Sequence, residues 1–509
     1  MYSKVYSAAI QGIAMEIVAV ETDVSDGLPS FDMVGLLNSE VKEARERVRS
    51  AIKNTGYLLP PKRITVNLSP ADIRKEGSSF DLPIAVSILT SLGLIRKADK
   101  NNESNSVLVA GELSLNGDIL PMNGVLPMVL AAREKGIKSF IVPKANAKEG
   151  AVVKDVKIYG MSSLREVISF LNGNELECEP YIDFEAVYKD SEGDSEDVDF
   201  SDIAGQESVK RAAKIAVAGM HHILLVGTPG SGKSMIAKRI PGILPKPDME
   251  ECMEITKIHS IAGELKGTNI KLKRPYRAPH HSITDKALIG GGANPRPGEI
   301  TLAHRGVLFL DELAEFRRET IDSLRQPLET GEVIINRLNG NYVFPANIML
   351  VAATNPCKCG YYPDRNRCSC SEIQVKNYLG KISGPILDRI DICVTTPTVL
   401  VEDLRKKSGE GSEKIREHIE RVRRIQRERF ATENFKFNSD IPSAKIDKYC
   451  LMTDKAKGVI EKAYKTYGLS VRSYHKLIRV ARTIADLDDA IYIEETHIAE
   501  ALGYRTDMF

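Results

Sequence analysis

Apolar residues recur along this chain in short runs that end at polar or glycine-rich turns, and between them lie longer stretches with helical spacing. Ile13 to Val20, Ile64 to Leu68 and Ser139 to Val142 read as strands. Ser39 to Thr55 places Val41, Ala44, Val48 and Ile52 at spacings of 3, 4 and 4, so they share one face of an amphipathic helix. Leu82 to Leu92 is an apolar helix candidate. This alternation predicts an α/β or α+β block over residues 1–172.

After residue 200 the runs become more strand-like. Ile223-Leu224-Leu225-Val226, Val307-Leu308-Phe309-Leu310 and Ile348 to Ala353 are apolar throughout, as buried parallel strands are. Leu313 to Glu329 is expected to be helical. Val333 to Arg337 and Tyr342 to Phe344 flank Leu338-Asn339-Gly340-Asn341, and Asn-Gly between apolar runs predicts a hairpin with Arg337 beside its tip. Gly290 to Glu299 is too rich in Gly and Pro for an element interior and predicts a projecting loop that carries Arg296. Residues 201–400 thus form a second block. Residues 173–200, with the run Asp190 to Asp197, read as an acidic linker whose charge repels nucleic acid.

Residues 401–509 are read as mostly helical. Ser412 is expected to cap a helix running to Phe430, with Ile415, Ile419, Val422 and Ile425 on one side and Arg416, Arg423, Arg424 and Arg427 on the other. That basic side either contacts phosphates or is a solvated face, because Glu413, Glu417, Glu420 and Glu428 dilute it. A further helix is expected over Tyr474 to Leu487.

Two stretches carry the chemistry. Gly227-Thr228-Pro229-Gly230-Ser231-Gly232-Lys233-Ser234 fits the phosphate-loop pattern between a strand and a helix. Its backbone N–H groups and the helix N-terminus face phosphate oxygens. Lys233 would reach the β/γ-phosphates of ATP, and the Ser234 hydroxyl would ligate Mg²⁺. Downstream, Asp311 and Glu312 end a buried strand, where open α/β sheets bind ligands. Asp311 would hold the Mg²⁺ shell, and Glu312 would polarise the attacking water. Asn355, at the end of the Ile348 to Ala353 strand, can orient that water. His280 and His281 are assigned to packing or hydrogen bonding, since no further metal ligand lies at suitable spacing.

A third constellation is Cys357-x-Cys359 with Cys368-x-Cys370, separated by the turn formers Gly360, Pro363, Asp364 and Asn366. Four thiolates suit a closed, structural Zn²⁺ site; the alternative is reduced surface cysteines. Cys178, Cys252, Cys393 and Cys450 are scattered and get no role.

Length and composition limit the choice further. A chain of 509 residues accommodates three domains of ~150 residues. The net charge of +1 means a nucleic-acid face must be sought locally. The uncharged run Leu82 to Ile95 falls short of the ~20 residues that span a bilayer, and no secretory leader is read, so a cytoplasmic protein without a membrane partner is expected. The eight cysteines then read as thiols or metal ligands.

The first block resembles the proteolytic domain of Lon, a fold shared with part of ribosomal protein S5. The likeness runs through Lys75-Glu76-Gly77-Ser78-Ser79-Phe80-Asp81, Gly111 to Gly117 and Asn123-Gly124-Val125-Leu126. Lon uses a Ser–Lys dyad. Ser79 stands at the nucleophile's place, but Leu126 stands at the lysine's, so the resemblance implies a scaffold without proteolysis. From Asp202 onward the chain resembles AAA+ ATPases of the magnesium-chelatase-like YifB/ComM family, and the likeness covers essentially the whole chain. It implies an AAA+ core followed by a helical lid over 401–509. It also implies adenine contact near Ile203, a ring, usually a hexamer, with ATP between subunits, Arg389 as arginine finger and Arg472 as the lid's sensor arginine. The insert and hairpin shared with the MCM helicases would face a central channel.

Two functions follow from these readings. One is an ATP-driven motor on DNA, a helicase or translocase of recombination, with sequence-independent contacts from Arg296 and Arg337. The other is a protein-remodelling ATPase like the magnesium-chelatase motor subunit. For Arg337, the alternative is pairing with a nearby acid such as Glu332.

Overall fold

The computed structural model describes residues 1–509 except 96–106, 191–197, 266–269, 293–294, 338–339, 399–408 and 506–509. It falls into two compact units: Met1–Gly193 with Met249–Leu272, and Asp194–Asp248 with Lys273–Phe509.

The first unit is built on a seven-stranded mixed sheet. Its strands are β1 (Tyr2–Gln11), β2 (Ala14–Ser25), β3 (Ser30–Val34), β4 (Arg63–Ser69), β5 (Val107–Val109), β6 (Ser139–Pro143) and β7 (Lys157–Met161), in the order β3-β4-β2-β1-β5-β6-β7. β1 and β2 form a long antiparallel hairpin from Tyr2↔Asp23 to Gln11↔Ala14. α1 (Ser39–Asn54) buries Val41, Ala44, Val48 and Ile52 as the spacing predicts, and the Asn38 side chain caps it by accepting from the Val41 N–H at 2.9 Å. α2 (Asp81–Ser91) is apolar and buried over almost its whole surface. β1, β3, β5 and β7 were not anticipated: polar positions in β1 and β7 interrupt the alternation that marks a half-buried strand, and β3 and β5 are only five and three residues long.

α3 (Val125–Glu134) carries Leu126, fully buried among Phe140, Val142 and Phe184. That cluster also takes in Cys252, from the helix Met249–Ala262. The Ser260 hydroxyl donates to Glu149, and the Ser260 carbonyl accepts from the Gly124 N–H at 3.2 Å. A segment expected inside the 201–400 block therefore completes the core of the first unit. The linker boundaries change as well. Phe184–Asp190 is helical with Phe184 buried, because its apolar ring finds a place in that same core. Of the acidic run, 191–197 lies outside the described residues.

The second unit has a five-stranded parallel sheet. In chain order its strands are β8 (Ile223–Gly227), β9 (Tyr276–Arg277), β12 (Val307–Leu310), β15 (Met349–Thr354) and β16 (Ile392–Thr396). Two antiparallel ribbons stand apart from it: β10 (Gly290–Gly291) with β11 (Arg296–Pro297), and β13 (Glu332–Arg337) with β14 (Gly340–Pro345). The order β9-β12-β15-β8-β16 places the three strands that carry the candidate chemistry side by side. α4 (Glu207–Gly219) and α5 (Lys233–Ile243) pack with the C-terminal helices α6 (Ser412–Arg429) and α7 (Val471–Leu487) around one continuous apolar core. The expected lid thus shares its core with the sheet.

Two helical expectations change. Leu313 to Glu329 is not one helix: a 3₁₀ turn at Leu313–Glu315 is followed by short helices at Arg318–Asp322 and Arg325–Thr330, because Phe316 and Arg317 are extended. In α6, Gly411 takes the cap position, and the Ser412 hydroxyl accepts from the Phe200 N–H instead. Arg423 is buried in the same helix. It donates to the Val217 carbonyl at 2.6 Å and stacks on Phe437 at 4.0 Å, so it belongs to no phosphate-contacting face.

Phe184→Ala should lower the stability of the first unit by about 3–5 kcal/mol, since a large aromatic leaves a cavity. A urea midpoint equal to wild type would return this segment to linker status.

Candidate nucleotide-binding site

The phosphate loop follows β8, whose residues are all buried. It needs its glycines for two separate reasons. Gly230 and Gly232 sit at φ of 77° and 84°, the left-handed region. Gly227 lies so close to β16 that a Cβ there would come 1.9 Å from the Thr396 hydroxyl. That hydroxyl also meets the Ser231 hydroxyl at 2.8 Å.

Lys233 opens α5 and is only 9% exposed. Its ammonium donates to the carbonyls of Gly227 (2.7 Å) and Thr228 (2.9 Å) and to Asn355 Oδ1 (3.1 Å). Burial holds it below the ordinary lysine value of 10.5, while Asp311 and Glu312 draw it back up. Ser234 donates to Asp311 Oδ2 at 2.6 Å, so the two expected magnesium ligands already adjoin. Glu312 follows at φ 53°, a conformation rare for a non-glycine residue. Its N–H donates to Asp311 Oδ1 at 2.9 Å. Lys233, Ser234, Asp311, Glu312 and Asn355 are thereby gathered at the ends of three adjacent strands. Thr228, Pro229 and Ser231 complete the loop around them. This arrangement can hold a phosphate chain, place one hard cation on oxygen ligands and leave a carboxylate free for water.

Ile203 is fully buried in the core behind the loop. Its neighbour Gln206 makes a connection that sequence reasoning passed over. At φ 55° it sends Nε2 to the Ser231 carbonyl (2.6 Å) and the Pro397 carbonyl (3.1 Å), tying this segment to the phosphate loop. His281 is the other omission. Its Nδ1 lies 3.5 Å from Glu312 Oε2, while His280 bonds Ser282 at 2.8 Å. Hydrogen bonding was the right expectation for His280. Only the pairing of β9 with β12, invisible locally, brings His281 to the carboxylate.

Other predicted residues lie elsewhere. Arg389 donates to the Arg325 carbonyl (2.9 Å), the Pro385 carbonyl (2.7 Å) and Glu329. None of these belongs to the phosphate loop. Arg472 is exposed on the first turn of α7. Arg296 and Arg337 are both exposed, and the Arg337 guanidinium lies beside the ribbon that bears Arg296: a Cβ on Gly291, the residue paired with Arg296, would be 3.6 Å from it. Glu332 and Arg337 occupy opposite ends of β13, which excludes the pairing considered for them. Leu338 and Asn339 of the hairpin tip, like Ala293 and Asn294 of the loop, lie outside the described residues.

The four cysteines cluster, with sulfurs all within 4.8 Å of one another. Among the described residues no helix is long and apolar enough to cross a membrane.

A parallel sheet with a phosphate loop after one strand and an Asp-Glu pair at the end of the next strand but one defines a P-loop nucleotide-binding core. The chain belongs to the magnesium-chelatase-like AAA+ family. It matches the family models described as "Magnesium chelatase, subunit ChlI" over residues 199–404, "Subunit ChlI of Mg-chelatase" over 20–146 and "Magnesium chelatase, subunit ChlI C-terminal" over 409–505. Within the family its relatives are of the ComM and YifB type. It is 44% identical to the competence protein ComM of Haemophilus influenzae, covering 98% of this chain and 97% of that one. It is 39% identical to the uncharacterized protein YifB of Escherichia coli, over 99% and 97%. The magnesium-chelatase 67 kDa subunit of Chlorobaculum parvum is 26% identical over 41% of this chain and 28% of its own. Membership suggests binding and hydrolysis of ATP with Mg²⁺.

Lys233→Ala should weaken ATP binding, because the phosphates lose their buried charge partner. Glu312→Gln should bind ATP normally and hydrolyse it about 10²–10⁴-fold more slowly, the range for a general base; titration with a fluorescent ATP analogue and a phosphate-release assay separate the two. Because burial lowers the Lys233 pKa, ATP affinity should start to fall at a lower pH than an ordinary lysine would give. Affinity flat up to pH 10.5 would remove that assignment.

Proposed function

We propose that this chain is an ATP-hydrolysing ring motor, most simply a hexamer, that moves along DNA as a helicase or translocase of recombination. The observation that carries the DNA reading is the approach of the Arg337 guanidinium to Gly291, on the ribbon that bears Arg296. The two arginines come from ribbons separated in sequence, and both are exposed, with no acidic partner among the described residues. Two guanidiniums so placed suit phosphate oxygens, which position a strand without reading its bases. The name of the Haemophilus relative, a competence protein, is consistent with work on incoming DNA.

In this reading ATP lies on the phosphate loop, with Ile203 and Gln206 on the adenine side. Ser234 and Asp311 hold Mg²⁺, Glu312 activates water under the guidance of Asn355, Arg389 reaches a neighbouring subunit's ATP, and Arg472 closes from the lid. The first unit acts as a scaffold. Leu126 lies in its apolar core, so no lysine at that place can deprotonate Ser79, and purified protein with ATP should leave unfolded casein uncut. The partial likeness to the chelatase subunit favours a second reading, remodelling of a protein partner. The ATPase rate with and without single-stranded, duplex and forked DNA decides between them. If no DNA binds or stimulates, the DNA reading is withdrawn.

Single replacements Arg296→Ala and Arg337→Ala should each weaken DNA binding similarly across sequences. Each should also reduce the slope of log K against log salt by about 1, as loss of one phosphate contact does. Fluorescence anisotropy over a salt series reads this directly, and unchanged slopes in both variants would place the contacts elsewhere. Mixing Arg389→Ala with Lys233→Ala subunits should restore part of the ATPase, because some interfaces then hold both intact groups. No rescue in rings shown to be mixed excludes a shared site.

A further inference from the structure

The cysteine knuckle and the phosphate loop touch. Cys357 and Cys359 begin two residues after Asn355, the side chain that accepts from the Lys233 ammonium at 3.1 Å. Gly360, at φ 86°, lies against the loop itself: a Cβ there would come 2.5 Å from Pro229 Cδ and 3.9 Å from Asn355 Cγ. The fold of residues 357–370 therefore fixes both one wall of the loop and the lysine's side-chain acceptor.

The knuckle has little else to hold it. Its apolar cluster consists of Cys357, Cys368, Cys370 and Val375, with Cys359, Tyr361, Tyr362 and Leu379 packed around them. The sulfurs of Cys357 and Cys359 are 3.3 Å apart, Cys357 and Cys368 3.7 Å, and Cys359 and Cys368 3.5 Å. Disulfide sulfurs are about 2.05 Å apart, so these are separate thiols. Four thiolates about 2.3 Å from one tetrahedral ion would lie roughly 3.8 Å from each other, close to the spacing found. The backbone suits such a site. The Tyr362 N–H donates to Cys357 Sγ at 3.4 Å, a turn closes with the Cys368 N–H on the Asp364 carbonyl (2.8 Å), and the Arg365 guanidinium donates to the Cys370 carbonyl (2.8 Å). Lys358, Arg365 and Arg367 against the single Asp364 give the loop positive charge, which would offset the net −2 of a divalent ion on four thiolates.

We propose that Cys357, Cys359, Cys368 and Cys370 hold one Zn²⁺, and that this ion braces the phosphate loop, so that loss of zinc weakens nucleotide binding. The ion has no open position and takes no part in hydrolysis. Its effect passes through Gly360 on Pro229 and through Asn355 on Lys233. This rests on the ATP-site reading above only for its second half.

The test uses the full-length wild-type protein, purified without chelator. Elemental analysis should give about one zinc per chain, and the Co²⁺-loaded protein should show the absorption of a tetrahedral tetrathiolate centre. Stripping zinc with a mercurial thiol reagent should raise the Kd for a fluorescent ATP analogue at least tenfold, and thiol with Zn²⁺ should restore it. Cys368→Ser with Cys370→Ser should show both losses together. Because the stripped wild type is recovered by reloading, misfolding of that variant does not decide the outcome. Zinc well below one per chain overturns the site. Zinc present but ATP affinity unchanged on stripping overturns the brace. Zinc present in a protein that binds no nucleotide at all leaves the site standing and overturns the ATPase reading instead.

Discussion

A buried ammonium is the constraint on which the nucleotide site depends. Lys233 lies where water scarcely reaches, and a charge in such a place is tolerated only if hydrogen-bonded. Three oxygens answer that demand: two carbonyls of the phosphate loop and the Asn355 amide. The lysine thus shapes the loop before any ligand arrives, pulling Gly227 and Thr228 into the turn that aims the neighbouring N–H groups outward. The positive φ at Gly230 and Gly232 makes that turn available without strain. A triphosphate replaces neutral carbonyl dipoles with full negative charge. The same burial that disfavours the free ammonium therefore strengthens its pairing with phosphate.

Sheet order converts that local device into a site. β15 lies between β8 and β12, so Asn355, which follows it, falls between the phosphate loop and the Asp311-Glu312 end. On the other side β9 pairs with β12. From β9, Arg277 grips Glu299 through two hydrogen bonds of 2.6 and 2.7 Å, and His281 comes to Glu312. Glu299 closes the Gly-rich segment bearing Arg296. Glu312 and the ribbon bearing Arg296 are thus both tied to one edge strand two residues long.

What could be read from the sequence was what is decided locally. The phosphate loop, the Asp-Glu strand end and the amphipathic face of α1 each depend on residues close together in the chain. What escaped depends on partners far away. Arg423 looks solvent-facing by helical spacing, yet α6 packs on α4 and the arginine donates to the Val217 carbonyl near that helix's end. Met249–Ala262 reads as part of the nucleotide core because it lies between core segments, but its buried Cys252 and Ser260 belong to the first unit. Leu313 to Glu329 has helical composition throughout. Nothing in it announces that Phe316 and Arg317 must turn extended after Glu312 leaves the strand in a left-handed conformation.

The hydrogen-bond inventory of Arg389 bears on its proposed role across a subunit boundary. A guanidinium has five N–H donors in a fixed fork. Three are engaged within the chain, on Arg325, Pro385 and Glu329. Those contacts leave the side chain 11% exposed and hold the fork in one orientation, which lowers the entropy lost when it meets a ligand. Two donors remain, one on each terminal nitrogen, enough for a bidentate approach to phosphate oxygens. The Glu329 carboxylate, itself more than half exposed, sets the balance: it orients the fork but competes with phosphate for the same charge. The proposed role at a neighbouring subunit's nucleotide would draw on those two donors and on the orientation that the three internal bonds give the fork.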